Sequence, residues 1–418
     1  MLRFCMITTF YPPFSFGGDA IFVRALSRAL AERGHAVDVI HCIDSYRALA
    51  PPGRAADPAP DPEPDGVTVH GLRSPFGILS PLATQQSGQP ALKSGEIRRI
   101  LASAPFDVIH FHNISLVGGP MILRYGNGIK LYTMHEHWLI CPTHVLFKFK
   151  REACLERSCL RCQLVYRRPP QLWRYTSMLN AALRHVDSFI SPSEFTLRRH
   201  HAEGLDIPIV PIPYCLGHEA EELPPPGSLD GVPLPSRPFF LFVGRLEKIK
   251  GLQTVIPLFR EKGDADLVVA GDGDYASELK QLAAGHERVH FLGRLTPAQL
   301  RGVYARAIAL LVPSITFETF GQVIIEAYAV RTPVIVRDLG PMPEIVAESG
   351  GGLVFRDDAG LREAMERLRT DPALRDALGE AGYRAYRSRW TEEVHLERYL
   401  GLIRDLQVKK RTASEDSF

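Results

Sequence analysis

Short apolar runs, each followed by a glycine-bearing or polar loop and then by residues at helical spacing, recur along the chain. Residues 309–312 form one such run, which Pro313 and Ser314 end, and this pattern predicts a buried parallel strand. From Phe320 onward the apolar residues follow a helical period, so a helix is expected just after the intervening loop. Repetition of strand, loop and helix is typical of doubly wound sheets, and we expect the fold class α/β.

The predicted strands fall into two groups. The first comprises residues 2–8, 36–41, 67–72, 108–111, 130–134, 188–191 and 209–213, and the second residues 239–243, 265–270, 289–292, 309–312 and 333–336. Helices are expected at residues 20–33 and 94–104, and another should start at Thr296 and Pro297. Proline-rich residues 216–238 separate the two groups and predict a linker, whereas residues 50–65 predict a surface loop.

Two domains follow from this grouping, at residues 1–215 and 239–390. A chain of 418 residues is long enough for each domain to bury a core of its own. A C-terminal helix is expected at about residues 391–407, and the polar residues 408–418 predict a disordered tail.

Composition narrows the class of protein. The chain is 45% hydrophobic and 23% charged, and its formal net charge of +2 gives no support for a nucleic-acid partner. No stretch approaches the roughly 20 apolar residues of a membrane-spanning helix, and Pro12 and Pro13 end the first apolar run too early for a signal peptide. Seven cysteines in so long a chain argue against a disulfide framework, and we expect a cytoplasmic protein.

Polar residues follow several predicted strands of the first group. Gly17 and Gly18 lie in the loop after the first strand, His112 follows residues 108–111, and His135 follows residues 130–134. Ligands of open α/β sheets bind outside the carboxyl ends of the strands, so these residues should lie at one crevice. A histidine at a strand end can equally be a structural residue.

Four charged residues of the second group suggest a site for a phosphorylated, polyhydroxylated ligand. Arg245 and Lys250 follow the strand at residues 239–243, where fixed cations could stabilise a diphosphate leaving group. Glu318 ends the loop before the helix and Glu326 comes two turns later, so each carboxylate could accept hydrogen bonds from sugar hydroxyls. Amides at the start of that helix could meet phosphate or sugar oxygens.

These motifs occur in an order that resembles one known family. Gly244-Arg245-Leu-x-x-x-Lys250-Gly is followed by Gly271-Asp-Gly273, by Phe291-Leu-Gly293, and then by Glu318 and Glu326. The series resembles the donor domain of family 4 retaining glycosyltransferases. The resemblance implies the GT-B architecture, in which two Rossmann-like, doubly wound domains face a central crevice, and it implies that the C-terminal helix crosses back to the first domain.

The resemblance also implies roles for individual residues. Arg245 and Lys250 look like the diphosphate clamp, Glu318 the partner of donor-sugar hydroxyls, Glu326 the acceptor of ribose hydroxyls, and His135 part of the donor-sugar pocket. The candidate catalytic residues are therefore Arg245, Lys250, Glu318 and His135, and the candidate donor-binding residues are Gly17, Gly18, Gly244, Arg294, Phe320, Gly321, Gln322, Val323 and Glu326. Glu136 stands where the family usually has aspartate.

The implied activity is hexosyl transfer, with retained configuration and no cofactor, from a UDP- or GDP-linked sugar to a glycan or lipid-linked acceptor. Two rival functions share the fold and the donor site: a nucleotide-sugar 2-epimerase, and a catalytically silent partner subunit that binds nucleotide sugar. A dinucleotide oxidoreductase is disfavoured, because neither predicted domain has a complete G-x-G-x-x-G after its first strand.

The segment at about residues 138–174 is an insertion rich in cysteine. Cys141, Cys154, Cys159 and Cys162 fall within 22 residues, which suits a structural zinc site or an iron–sulfur cluster. His144 is an alternative ligand to Cys141. The thiols could equally bind no metal.

The same insertion is strongly basic. Residues 148–174 contain eight lysines and arginines against two glutamates. Such a segment is either a solvated face or a surface for anionic lipid or a lipid-linked acceptor. The second alternative adds a peripheral site at the inner face of the membrane to the expected cytoplasmic location.

Overall fold

The computed structural model describes residues 1–50, 58–59, 61–217, 227–260 and 263–415. Residues 51–57 and 60 of the expected surface loop, and residues 218–226 of the expected linker, lie outside the described residues.

Fifteen strands occur in the described part of the chain. They are β1 (Arg3–Ile7), β2 (Ala36–Cys42), β3 (Val67–Leu72), β4 (Val108–Phe111), β5 (Ile129–Thr133), β6 (Phe147–Lys148), β7 (Glu152–Ala153), β8 (Ser188–Ser191), β9 (Ile209–Pro211), β10 (Phe239–Val243), β11 (Asp266–Ala270), β12 (Val289–Gly293), β13 (Leu310–Val312), β14 (Val334–Arg337) and β15 (Gly352–Phe355).

The described part of the chain also contains fifteen α-helices and several short 3-10 turns. The helices are α1 (Gly18–Glu32), α2 (Ile43–Leu49), α3 (Leu79–Ser87), α4 (Ser94–Ala102), α5 (Cys159–Val165), α6 (Met178–Leu183), α7 (Glu194–Ala202), α8 (Leu252–Val255), α9 (Ala276–Leu282), α10 (Pro297–Arg306), α11 (Gln322–Ala329), α12 (Met342–Ser349), α13 (Asp358–Thr370), α14 (Pro372–Arg389) and α15 (Glu392–Glu415). No helix in the described ranges is long and apolar enough to cross a membrane.

The chain folds into two compact units, and each unit is assembled from separate stretches of sequence. Unit 1 contains residues 1–144, 158–212 and 396–418, and unit 2 contains residues 145–157 and 213–395. The cysteine-bearing insertion is therefore divided between the two units, because its hairpin of β6 and β7 belongs to unit 2.

Unit 1 is built on a seven-stranded parallel sheet in the order β3-β2-β1-β4-β5-β8-β9. Its central strands are apolar on both faces, as covered parallel strands must be, and Phe4, Met6 and Leu131 are fully buried. The chain builds the sheet outward from β1 in one direction and from β4 in the other. The junction of β1 and β4 is therefore the topological switch point, where such sheets bind ligands.

Unit 2 repeats this plan with six parallel strands in the order β12-β11-β10-β13-β14-β15. Its core packs Leu267 and Val269 of the sheet against helix residues such as Val255 and Leu361. The switch point lies between β10 and β13. The α/β class and the two doubly wound sheets predicted from the sequence are thus confirmed.

Some element predictions differ from the structure. Strand β15 was not predicted, because Gly351 and Gly352 and the partly exposed Leu353 and Val354 weaken its apolar pattern. The disordered tail predicted from residue 408 is wrong up to Glu415, because helix α15 continues through it. Lysine, arginine and glutamate are good helix formers, so a polar composition does not end a helix that is already nucleated.

Candidate active site

The loops after β10 and β13 meet at the switch point of unit 2. Lys250 ends a 3-10 turn in the first loop, and its Nζ donates a hydrogen bond of 2.8 Å to Glu318 Oε1 in the second. Ser314 Oγ donates to the same oxygen, also at 2.8 Å. The structure therefore brings together two of the candidate catalytic residues, Lys250 and Glu318, which lie 68 residues apart in the sequence.

Charge around Glu318 keeps this carboxylate ionised. Burial alone would raise its pKa, but the Lys250 ammonium, the hydrogen bonds from Lys250 and Ser314, and the charge of Arg245 outweigh burial, so the pKa lies below its ordinary value. Glu318 is therefore an anion at neutral pH that accepts, and does not donate, hydrogen bonds.

A close backbone contact holds the two loops together. Ile315 N donates to Ile249 O at 2.9 Å. Gly251 adopts φ +76°, and a Cβ atom on it would lie 1.9 Å from Pro313 O. Glycine is required here because a side chain would separate the loops and with them Lys250 and Glu318.

The other two candidate cations of unit 2, Arg245 and Arg294, differ in their distance from this pair. Arg245 is exposed, lies close enough to Glu318 to influence its charge, and forms an ion pair of 2.9 Å with Glu247 Oε1. Arg294 follows β12 at the edge of the sheet, two strands away from β10, and its Nε lies 3.9 Å from Asp272 Oδ2. The structure thus groups Arg245 with Lys250 and places Arg294 apart.

Helix α11 begins at Gln322, two residues later than the sequence predicts. Gly321 precedes it with φ +147°, and the first-turn residues Gln322 and Val323 are half-buried. Phe320 is buried and packs edge-on against the rings of Tyr214 and Trp390. Only its backbone could contact a donor, because its side chain is part of the core.

Glu326 lies in an environment opposite to that of Glu318. Tyr304 of α10 donates its hydroxyl hydrogen to Glu326 Oε2 at 2.8 Å. Burial raises the pKa of Glu326, and the hydrogen bond from Tyr304 lowers it only in part. This hydrogen bond fixes Oε2 of the carboxylate, so Oε1 is the oxygen that could accept further hydrogen bonds. Tyr304 was not predicted as a site residue. It lies on another helix, 22 residues before Glu326, and no sequence motif links the two residues.

Unit 1 gathers polar side chains at its own switch point. His112 lies just after β4 and His135 lies beyond β5. A hydrogen bond of 2.8 Å joins His112 Nδ1 to His135 Nε2. Asn113 Nδ2 lies 3.4 Å from Asp19 Oδ2 in the first turn of α1, for which Gly17 is the N-cap residue. Phe22 contacts the His135 ring edge-on. The predicted strand-end residues of unit 1 are therefore neighbours, and Asp19 and Asn113 join them.

The histidine pair has one buried member and one accessible member. Burial, and the nearby His110 and His135, hold the pKa of His112 well below its ordinary value, so His112 is neutral. His135 is only half-buried. The neutral His112 ring therefore serves to orient His135, which is the member that a ligand can reach.

The zinc site predicted from the cysteines is not supported by the structure. Among the described residues, which include all four cysteines, no group of three or more His, Cys, Asp or Glu side chains could hold a metal ion. His144, the alternative ligand, instead pairs with Glu136 Oε2 at 2.8 Å through its Nδ1. Cys141 Sγ lies 3.2 Å from Thr143 Oγ1.

A cation lies beside two of the four cysteines. The guanidinium of Arg174 interacts with Cys141 and Cys159, stacks on Trp138 and Trp173, and donates to Trp138 O at 2.8 Å. Burial lowers its pKa to about 10, so it stays charged at neutral pH. A fixed positive charge beside the thiols opposes the binding of a second cation. The sequence shows the four cysteines but does not show that Arg174 lies beside Cys141 and Cys159.

Comparison with known proteins agrees with this architecture and identifies the family. Residues 17–215 match the family model of the glycosyl transferase 4-like domain, and residues 232–385 match that of glycosyl transferases group 1. The two sheets and these matches define a glycosyltransferase of the GT-B fold. The chain belongs to the family 4 type of these enzymes, as the order of its motifs indicates.

Individual relatives extend over nearly the whole chain. Glycogen synthase of Mycobacterium tuberculosis is 26% identical over 419 residues, covering 94% of this chain and 91% of its own. An uncharacterised glycosyltransferase of Methanocaldococcus jannaschii is 26% identical, covering 84% of each chain. Two solved structures share the fold. One is a Thermosynechococcus elongatus sucrose-phosphate synthase, with TM-score 0.77 and 21% identity. The match covers 98% of this chain and 100% of the synthase chain. The other is Anabaena HepE in complex with UDP-glucose, with TM-score 0.66 and 18% identity. The match covers 97% of this chain and 100% of the HepE chain.

Proposed function

We propose that this glycosyltransferase moves a hexosyl group from a nucleoside diphosphate sugar to a hydroxyl acceptor and retains the anomeric configuration. The contact between Lys250 and Glu318 carries the proposal, because it fixes a cation and an ionised carboxylate side by side at the switch point of unit 2. A cation suits the diphosphate of the donor and a carboxylate suits the hydroxyls of its sugar. UDP-glucose in the structure of HepE supports a nucleotide sugar as the donor class.

Different residues of unit 2 are assigned to different parts of the donor. Lys250 gives one hydrogen bond to Glu318 and has two further N–H donors for a phosphate oxygen. Arg245 adds a second positive charge from the same loop, and Glu326 accepts hydrogen bonds from the ribose hydroxyls. The charge that grows on the β-phosphate is then met by groups that are already in place.

The transfer is proposed to occur on one face of the sugar. The bond between the anomeric carbon and the β-phosphate oxygen breaks, the acceptor oxygen bonds to that carbon, and the acceptor proton passes to the departing phosphate. The nucleoside diphosphate takes the bonding electrons, so no redox partner is needed. His135, oriented by His112, is assigned to the sugar pocket.

Relatives suggest the class of product. The names of relatives include glycogen synthase and a lipopolysaccharide core glycosyltransferase of Rhizobium meliloti, which is 34% identical over 174 residues. We place the acceptor of this protein among glycans and lipid-linked glycans, and its location in the cytoplasm. None of its seven cysteines forms a disulfide, as a reducing compartment favours.

A panel of UDP-, GDP- and ADP-sugars tests the donor assignment. The cognate donor should raise the melting temperature, because only the folded protein binds it. NMR of the product should then show the anomeric configuration of the donor. An inverted product would disprove the retaining mechanism.

Two rival activities give different products. A 2-epimerase would convert the nucleotide sugar into its stereoisomer without an acceptor, and a silent subunit would bind it without turnover. Transfer that requires an acceptor alcohol and releases nucleoside diphosphate would exclude both.

Transfer should not require a divalent metal, because Arg245 and Lys250 supply the positive charge. Lys250→Ala should lower kcat by roughly 10²–10³, the cost of one preorganised transition-state donor. Initial rates with and without EDTA should agree. Complete loss of activity in EDTA that Mg²⁺ or Mn²⁺ restores would contradict this proposal.

A further inference from the structure

Helix α3 of unit 1 has its polar face inside and its apolar face in solvent. Ser80 and Thr84 are fully buried, whereas Leu79 and Leu82 are exposed. The turn before the helix continues the exposed surface with Phe76 and with Ile78, whose relative exposure is 64%. A helix packed on a globular core normally shows the reverse arrangement.

A buried lysine fixes α3 in this inverted orientation. Lys93, 3% exposed, donates from Nζ to Thr84 Oγ1 at 2.8 Å and to Ser80 Oγ at 3.1 Å. Burial lowers the pKa of Lys93. A buried ammonium must be hydrogen-bonded, so rotating α3 to bury its leucines would leave this charge without partners. The exposed apolar face is therefore held in place by the fold.

Helix α5 is inverted in the same way. Gln163 and Cys162 are buried, while Leu160, Val165 and Leu164, the last with 61% exposure, are in solvent. The Gln163 side chain accepts a hydrogen bond of 3.0 Å from Gln171 N. The polar inner face of this helix is again satisfied by specific contacts.

The two inverted helices are linked through a 3-10 turn, Leu172–Tyr175. Trp173 of the turn donates from Nε1 to Gln85 O of α3 at 2.9 Å, and the preceding Gln171 is bonded to Gln163 of α5. Leu172 and Tyr175 are themselves exposed. Ten of the 17 exposed large hydrophobic residues in the described part of the chain lie at residues 76–92 and 160–175. We call these ten residues the apolar surface.

The segments that carry the apolar surface contain no acidic residue. Residues 66–95 and 158–186 include no Asp or Glu, although the whole chain has 47. Arg167 and Arg168 are exposed beside α5. A partner that covers this surface should therefore be apolar and should carry negative charge.

We propose that the apolar surface docks unit 1 onto an anionic lipid bilayer. Large apolar side chains beside arginines match the boundary between acyl chains and phosphate head groups, where both kinds of group are satisfied. A second copy of the chain is a poorer occupant, because two-fold pairing would bring together two copies of segments that carry arginines and no acidic residue. The inference extends the proposed function without depending on it, because the surface was identified without reference to the sugar donor.

Vesicle co-sedimentation of the full chain tests the proposal. Binding is expected to vesicles of equal phosphatidylglycerol and phosphatidylcholine, and little to vesicles of phosphatidylcholine alone. The double variants Ile78→Ser/Leu79→Ser and Leu160→Ser/Leu164→Ser should each weaken binding about tenfold or more, because each removes two inserted side chains. The control Val354→Ser/Val408→Ser alters two exposed apolar residues outside the apolar surface and should bind as the unchanged protein does.

Melting temperatures separate effects on binding from effects on folding. Because all the altered side chains are exposed, every variant should have the melting temperature of the unchanged protein. Absence of binding to anionic vesicles, or equal binding by surface and control variants, would overturn the proposal. A dimer in sedimentation equilibrium that the surface variants dissociate would identify a second copy as the occupant and would also overturn it. Release of nucleoside diphosphate from the nucleotide sugar, measured in the same samples with an acceptor alcohol, reports on the proposed function separately.

Discussion

Glu318 precedes helix α11 and Glu326 lies within it, but the two carboxylates have opposite electrostatic settings. Glu318 is held ionised by Lys250 and Arg245, whereas the half-buried Glu326 accepts a hydrogen bond from the neutral hydroxyl of Tyr304. The first setting suits a group next to the charged, reacting end of a donor. The second suits a group that binds the neutral hydroxyls of a ribose.

Removal of each carboxylate should therefore affect different parts of the donor. Glu326→Ala should weaken the nucleoside diphosphate and the nucleotide sugar alike, by about 1.5–3 kcal/mol for charge-assisted hydrogen bonds. Glu318→Ala should leave nucleoside diphosphate affinity nearly intact, but lower kcat and the affinity for the intact donor. Calorimetry with both ligands measures the difference. Equal losses for the bare nucleotide would show that the assigned roles are wrong.

The pH dependence of nucleotide binding should report on Glu326. Because its raised pKa places protonation at a higher pH than for an ordinary glutamate, nucleotide affinity should fall as the pH falls through that pKa. Tyr304→Phe removes the hydrogen bond that lowers the pKa, so the loss of affinity should begin at higher pH. Ser314→Ala, which removes a hydrogen bond to Glu318 instead, is the control. It should not change the pH at which nucleotide affinity falls.

At the scale of elements, the loops after the strands position the site, and two glycines can be compared directly. Gly251 and Gly285 have nearly the same φ, +76° and +79°, but a Cβ atom would meet Pro313 O at 1.9 Å in the first case and nothing within 4 Å in the second. Gly285→Ala should cost about 1–2 kcal/mol for the left-handed conformation alone.

Gly251→Ala should cost clearly more, because the loops after β10 and β13 must also move apart. It should lower kcat as well, since Lys250 is the adjacent residue. Thermal unfolding and initial rates of both variants measure these effects. Equal destabilisation by the two substitutions, with unchanged activity, would show that the close contact does not matter.

The sequence predicts elements well where burial is symmetrical and poorly where it is inverted. Strands such as β10 and β11 are apolar on both faces, so their positions were predicted within a residue. Helix α3 was not predicted, because its leucines face solvent and Ser80 and Thr84 face the protein. The position of Arg174 beside Cys141 and Cys159 likewise depends on packing between distant segments, which a linear pattern does not contain.

At the scale of the whole molecule, unit 1 depends on the C-terminal helix. Leu396, Tyr399 and Ile403 of α15 are buried, and the Tyr399 hydroxyl lies 2.9 Å from His110 Nδ1. Burial of each such side chain stabilises the fold by about 1.5–3 kcal/mol, and the whole stability of a domain is only about 5–15 kcal/mol.

Truncation after residue 395 should therefore prevent stable folding of unit 1. Thermal unfolding should show one lost or strongly lowered transition, whereas truncation after residue 412 should leave the melting curve unchanged. A chain ending at residue 395 that melts like the full protein would contradict this role of the helix.

The division of unit 1 among three stretches of sequence has a consequence for synthesis on the ribosome. Residues 213–395, which form most of unit 2, emerge before residues 396–415. Domains generally fold as units and in the order of synthesis, but here the first unit to begin is the last to be completed. Until α15 arrives, the nascent unit 1 exposes apolar side chains that this helix covers, such as Phe4, which stacks on Tyr399. Translation that stops within the last helix would therefore yield a chain with one finished unit and one open unit, the kind of product that chaperones and proteases recognise.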